Sequence, residues 1–173
     1  MNSGVATRVS AARVLDAVLH RGSSLKASLA AALPALADPR DRAMVEAIVF
    51  AALRQRTRFD AALSQWLPKP LGQRDHEVRA LLHAGFAQQA LGMPAHAVIA
   101  ASVDAARALG RPHQAGLVNA LLRRAQRDGL PAAPADGDWP DWLARRVRAD
   151  WPRQAAEIFA ASALVLLAFL GLF

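Results

Sequence analysis

The chain has 173 residues, 54 % of them hydrophobic and only 6 % aromatic, and carries a formal net charge of +7. It has no cysteine, which excludes disulfides, thiolate metal sites and a thiol nucleophile. Alanine and leucine supply most of the apolar content, so helix is the expected state and the chain is expected to be all-α. The N-terminus lacks the apolar stretch and small-residue cleavage site of a secretory signal.

Charge is unevenly distributed. Residues 1–127 hold 17 Lys and Arg against 8 Asp and Glu, an excess of +9, while residues 128–173 hold 4 against 6. All the cations except Lys26 and Lys69 are arginines, whose planar fork suits phosphate. A GC-rich genome would also favour Arg over Lys, but it does not account for the excess itself. A basic, Arg-dominated helical region points toward nucleic acid.

In chain order, Val5, Val9, Ala12, Leu15 and Leu19 recur at helical spacing and predict a first helix from Val5 to His20, stopped by Gly22. Ser23 or Ser24 caps a second helix to about Leu36, its last turn distorted by Pro34. Asp38-Pro39 starts a third, running to about Arg56. A short helix spans Phe59 to Leu67, and Pro68-Lys69-Pro70 breaks the chain. Three more helices follow, over Asp75–Ala90, over Ala95–Leu109 and after Arg111-Pro112.

Residues 1–127 thus form one expected domain, and 128–138, rich in Gly, Pro and Asp, an expected linker. Asp141 begins a helix expected to bury Trp142, Leu143 and Val147, and residues 139–162 read as a helical connector. Residues 163–173 are an uncharged apolar tail, shorter than the ~20 residues of a membrane-spanning helix. The tail fits a shifted-frame or truncated end, a helix packed on the bundle, or a tail anchor. The anchor keeps open a structural or membrane-associated helical protein as a further alternative.

No nucleotide-binding glycine loop, zinc-protease motif or nucleophile elbow is present. His20, His76, His83, His96 and His113 are scattered; His76 and His83 share a helix face at a seven-residue step, without a carboxylate to complete a metal site. No catalytic, cofactor-binding or metal-binding residue is therefore assigned. The basic clusters remain as candidate RNA-binding residues: Arg8 and Arg13; Arg54, Arg56 and Arg58; and Arg123, Arg124 and Arg127. The last two clusters are expected at helix C-termini, where the helix dipole favours cations without any ligand. Arg8 and Arg13 lie early in their helix, where the dipole disfavours them, which makes that pair the more informative.

The order of pieces resembles the NusB-like domain of bacterial ribosomal RNA cytosine-C5 methyltransferases of the RsmB (Sun/Fmu) family. The resemblance rests on Ala11-Ala12-Arg13-Val14-Leu15 with Gly22-Ser23-Ser24-Leu25, on Asp41-Arg42-Ala43 through Leu53-Arg54, and on Leu67-Pro68-Lys69-Pro70-Leu71. It rests above all on Gly116-Leu117-Val118-Asn119-Ala120-Leu121-Leu122-Arg123-Arg124, with Trp139-Pro140-Asp141-Trp142-Leu143 following. It implies a cytoplasmic, two-lobed bundle of about seven helices that engages RNA, 16S ribosomal RNA in particular. In that family a further domain binds S-adenosylmethionine and uses two cysteines. This chain has no cysteine and no α/β cofactor domain, so the expected function is a non-catalytic RNA-binding accessory domain. The alternative is a free-standing NusB-type transcription antitermination factor, against which the extension from Trp139 argues. Asn119 is expected to be a structural hydrogen-bonding residue between helices.

Overall fold

A computed structural model describes residues 3–132, 139 and 141–161. Every regular element among them is helical. The chain divides into two compact units, Met1–Pro131 and Ala132–Phe173.

In the first unit, α1 runs over Ser3–Arg21, α2 over Leu25–Ala32, α3 over Pro39–Arg54, α4 over Arg56–Trp66, α5 over His76–Ala90, α6 over Ala95–Ala108 and α7 over Ala115–Asp128. The local signals act largely as expected. Gly22 takes a φ of +69°, available to glycine at low steric cost, and lets Ser23 N–H return to the carbonyl of Ala17. The Ser24 side chain caps α2 by accepting from the backbone N–H of Ala27 at 3.1 Å. Pro34 turns the end of that segment into a 3-10 turn over Leu33–Ala35. Asp38 caps α3 through the N–H of Arg40, with Pro39 as its first residue.

The third boundary differs from expectation. The break falls at Gln55 (φ −112°, ψ 21°), so Arg54 ends α3 while Arg56 and Arg58 open α4. These two arginines therefore stand at a helix N-terminus, where the dipole gives no reason for a cation.

The core is organised around α5. Val78, Ala80, Leu81, Leu82, Ala84, Phe86 and Ala87 are all buried, together with His83 and Gln88. A helix apolar on nearly every side must be wrapped by others, and α5 packs against α1, α3, α6 and α7. Gly85 permits a close approach of α7: a Cβ there would lie 2.6 Å from Leu122 Cδ2. The apolar stripe of α1, including Val9, Ala12 and Leu15, closes the other side of the same core.

The second unit contains α8, Asp141–Asp150, and a helical segment over 155–161. Its small core is Ala144, Val147, Ala155 and Phe159, with Trp139 edge-on to Phe159 at 5.2 Å. Trp142, expected inside, is instead 65 % exposed. Leu143 and Val147 already supply the apolar face of α8, and Trp142 lies one position off it. Most of the expected linker (133–138) and the apolar tail (163–173) lie outside the described residues.

Candidate nucleic-acid interface

The eight arginines singled out from sequence meet very different surroundings. Arg8 is 6 % exposed. Its Nη1 donates to the carbonyl of Gly4 at 3.1 Å and approaches Met44 Sδ at 3.8 Å, while Nε is buried without a partner. Burial pushes its pKa below the ordinary arginine value, against the opposing pull of Asp41. The expectation of a displayed Arg8–Arg13 pair is thus corrected for Arg8: the first turns of α1 pack against α3, which draws its stem and head inside. Arg13, on the opposite side of the helix, is exposed and edges a groove of about 520 Å³ between α1 and α2, shared with Ser10, Ser23 and Ser28.

The second cluster is dispersed by its new boundary. Arg54 is exposed and makes no hydrogen bond or ion pair among the described residues. Arg56 pairs with Asp60 one turn on, at 3.5 Å. Arg58 is a structural clasp. Its Nε donates to the carbonyl of Pro131 at 2.7 Å, Nη2 to that of Leu130 at 3.1 Å, and Nη1 to Gln55 Oε1 at 3.1 Å. These bonds occupy three of the five guanidinium N–H groups of Arg58 and give it a structural role that the expectation of a phosphate contact did not include.

The third cluster is mostly paired at the end of α7. Arg127 bonds Asp128 at 2.7 and 3.1 Å. Arg124 stands 3.5 Å from the same carboxylate and lies over the Trp66 ring at 5.1 Å. Arg123 alone faces outward toward a groove. Its Nε donates to Asn119 Oδ1 at 3.2 Å on the same helix, leaving the remaining N–H groups of the fork free of carboxylate. Asn119 therefore does not bridge helices as expected. It and Arg123, four residues apart on α7, line a cavity of about 410 Å³ with His96 and Arg107 of α6 and with Gln126. Arg107 there is paired with Asp104 at 2.6 Å. The groove offers amide, imidazole and guanidinium groups at one opening together with the carboxylate of Asp104, a mixture able to bind base edges and, through Arg123, phosphate.

Two polar centres escaped the sequence reading because each joins helices distant in sequence. Asp60 of α4 receives Arg79 Nε and Nη2 of α5 at 3.2 and 2.7 Å. His83 Nε2, one turn further along α5, lies 3.0 Å from the same oxygen, close but out of line for a well-formed hydrogen bond. Burial alone would raise the Asp60 pKa, but His83 and Arg79 overcome it and hold the carboxyl far below the usual carboxylate range. The other centre is Asp16, His20 and His76. His20 Nδ1 is 3.1 Å from Asp16 Oδ1, and its ring stacks on His76 with centroids 4.1 Å apart. The spacing of Asp16 and His20 was legible as one helical turn, but nothing in the sequence placed His76 beside them. The expectation of no metal-ligating group is revised to this extent: the three side chains bring ligand atoms within 4.8 Å of one another.

Comparison with known proteins gives this arrangement a family. The chain is 60 % identical over 162 residues to the ribosomal RNA small subunit methyltransferase B of Xanthomonas campestris, covering 93 % of this chain and 37 % of that protein. It is 56 % identical to the protein of the same name from Xylella fastidiosa, over 94 % of this chain and 38 % of the relative. With that of Pseudomonas putida it shares 40 % identity over 90 % of its length and 37 % of the relative. The chain thus spans little more than a third of the length of these relatives. Residues 5–127, which contain nearly all of the α1–α7 framework, match the NusB family, and the chain belongs to it.

Proposed function

We propose that this chain is an RNA-binding accessory module of a ribosomal RNA cytosine-C5 methyltransferase, directed at 16S ribosomal RNA and without catalytic residues of its own. The observation that carries this reading is the set of exposed cations Arg13, Arg54 and Arg123, which no carboxylate neutralises in a chain whose relatives are ribosomal RNA methyltransferases by name. Methyl transfer and S-adenosylmethionine belong, on this reading, to the remaining length of such proteins. The α6–α7 groove, with Arg123, Asn119, Gln126 and His96, supports recognition of an unpaired or splayed nucleotide, because its donors and acceptors lie together at one opening. Arg13 and Arg54 supply sequence-independent attraction to phosphate.

The test is binding of the purified chain to 16S ribosomal RNA fragments over a salt series. Affinity should fall steeply with salt, since each neutralised phosphate releases counterions. Arg13→Glu together with Arg123→Glu should weaken binding and flatten the salt slope by about one unit for each phosphate that is no longer neutralised. No binding at low salt, or an unchanged slope in the double variant, would overturn the reading.

A further inference from the structure

We propose that Asp16, His20 and His76 form a binding site for a divalent transition-metal ion of the zinc class, bridging α1 and α5. Asp16 and His20 are four residues apart on α1, so one helical turn brings both side chains to the same face. His76 is the first residue of α5 and lies against them, its ring stacked on that of His20 with 14° between the planes. One carboxylate and two imidazoles are the ligand types that intermediate metals such as Zn²⁺ and Co²⁺ select, and three protein ligands leave a position open for water.

The distances fit. Asp16 Oδ1 and His20 Nδ1 are 3.1 Å apart in a hydrogen bond that Nδ1–H donates, a separation close to the edge of a tetrahedron with metal–ligand bonds of about 2.1 Å; an ion taking this place displaces that proton to the other ring nitrogen or to solvent. The full set lies within 4.8 Å, and because an imidazole lone pair lies in the plane of its ring, closure around one ion asks the near-parallel rings of His20 and His76 to turn out of their stack as well as to approach. His20 and His76 are only partly buried and can turn in this way.

The surroundings are those of a held ligand set. Asp16 is 2 % exposed and fixed in place, with its second oxygen bonded by Arg21 Nη2, a partner that orients the carboxylate from outside. Arg21 and Arg79 are the cations facing the cluster; Arg21 is bonded to Asp16 and Arg79 to Asp60. A bound ion would tie the N-terminal helix to the central one, which makes the site a fastener of the bundle.

The experiment is titration of the untagged full chain with Co²⁺, read by its visible absorption, and with Zn²⁺, read by calorimetry and by the thermal midpoint. One equivalent should bind, with the absorption of a low-coordinate Co²⁺ ion and a rise in the midpoint. His20→Ala and His76→Ala should each weaken binding by about tenfold or more, whereas His96→Ala and His113→Ala should leave it unchanged. His76→Gln, a polar replacement at a partly exposed position, covers the case in which an alanine variant loses its fold. Absence of stoichiometric binding, or binding indifferent to His20 and His76, would overturn the proposal.

Discussion

Arg58 donates its Nε to the carbonyl of Pro131 at 2.7 Å, binding the first turn of α4 to the chain just beyond α7 across a sequence gap that no local signal spans. A second bond, from Nη2 to Leu130, makes the contact bidentate on the backbone. Charge-assisted bonds of this kind contribute about 1.5–3 kcal/mol when well formed. Arg58→Ala should therefore lower stability by about 1–2 kcal/mol, allowing for its partial exposure. Its RNA salt slope should match that of the unmodified chain. Urea unfolding and the salt series check the two halves, and a flattened slope without loss of stability would return Arg58 to the interface.

Arg8→Glu should behave as a core substitution. It places a carboxylate in a site with 6 % exposure, next to Asp41. Unpaired buried charge costs on the order of 3 kcal/mol or more. Arg13→Glu, at an exposed position, should cost within about 0.5 kcal/mol. Thermal unfolding of the two single variants separates them; equal midpoints would contradict the burial of Arg8.

Asp60 links the fold to pH. Its folded-state pKa lies below the unfolded value, so its contribution is complete above about pH 4 and is lost as pH falls below that, because the unfolded chain takes up the proton first. Asp60→Asn should remove this part of the acid dependence. At neutral pH it should destabilise the bundle by about 2 kcal/mol, since Arg79 and the buried His83 lose their anion. Unfolding midpoints measured from pH 3 to 7 for both chains test this, and parallel curves would count against it.

Gly85→Ala should destabilise by about 1–3 kcal/mol, although alanine is the better helix former. The added methyl would meet Leu122 Cδ2 at 2.6 Å, and Leu122 is itself fully buried, so α5 and α7 must move or Leu122 must leave its rotamer. Gly85→Ala combined with Leu122→Val should recover part of the loss; no recovery would show that the strain lies elsewhere.

The sequence by itself determined the helical class, the order of the helices and most of their ends, because those depend on neighbours in the chain: Gly22 admits the left-handed turn, Ser24 and Asp38 cap, Pro34 and Pro39 restrict the backbone. It also determined that the first 127 residues carry the positive excess. It did not determine which cations face solvent. Arg8 and Arg13 look alike in sequence, yet the packing of α1 on α3 and α5 buries the first and leaves the second exposed. Arg54, Arg56 and Arg58 form one cluster in the chain and three separate environments in the fold, set by the break at Gln55 and by carbonyls 72 and 73 residues away. The Asp60–Arg79–His83 centre, the Asp16–His20–His76 cluster and the α6–α7 groove were decided by tertiary structure alone. Each takes side chains from two helices, and periodicity states which face a residue occupies without stating which other helix that face will meet.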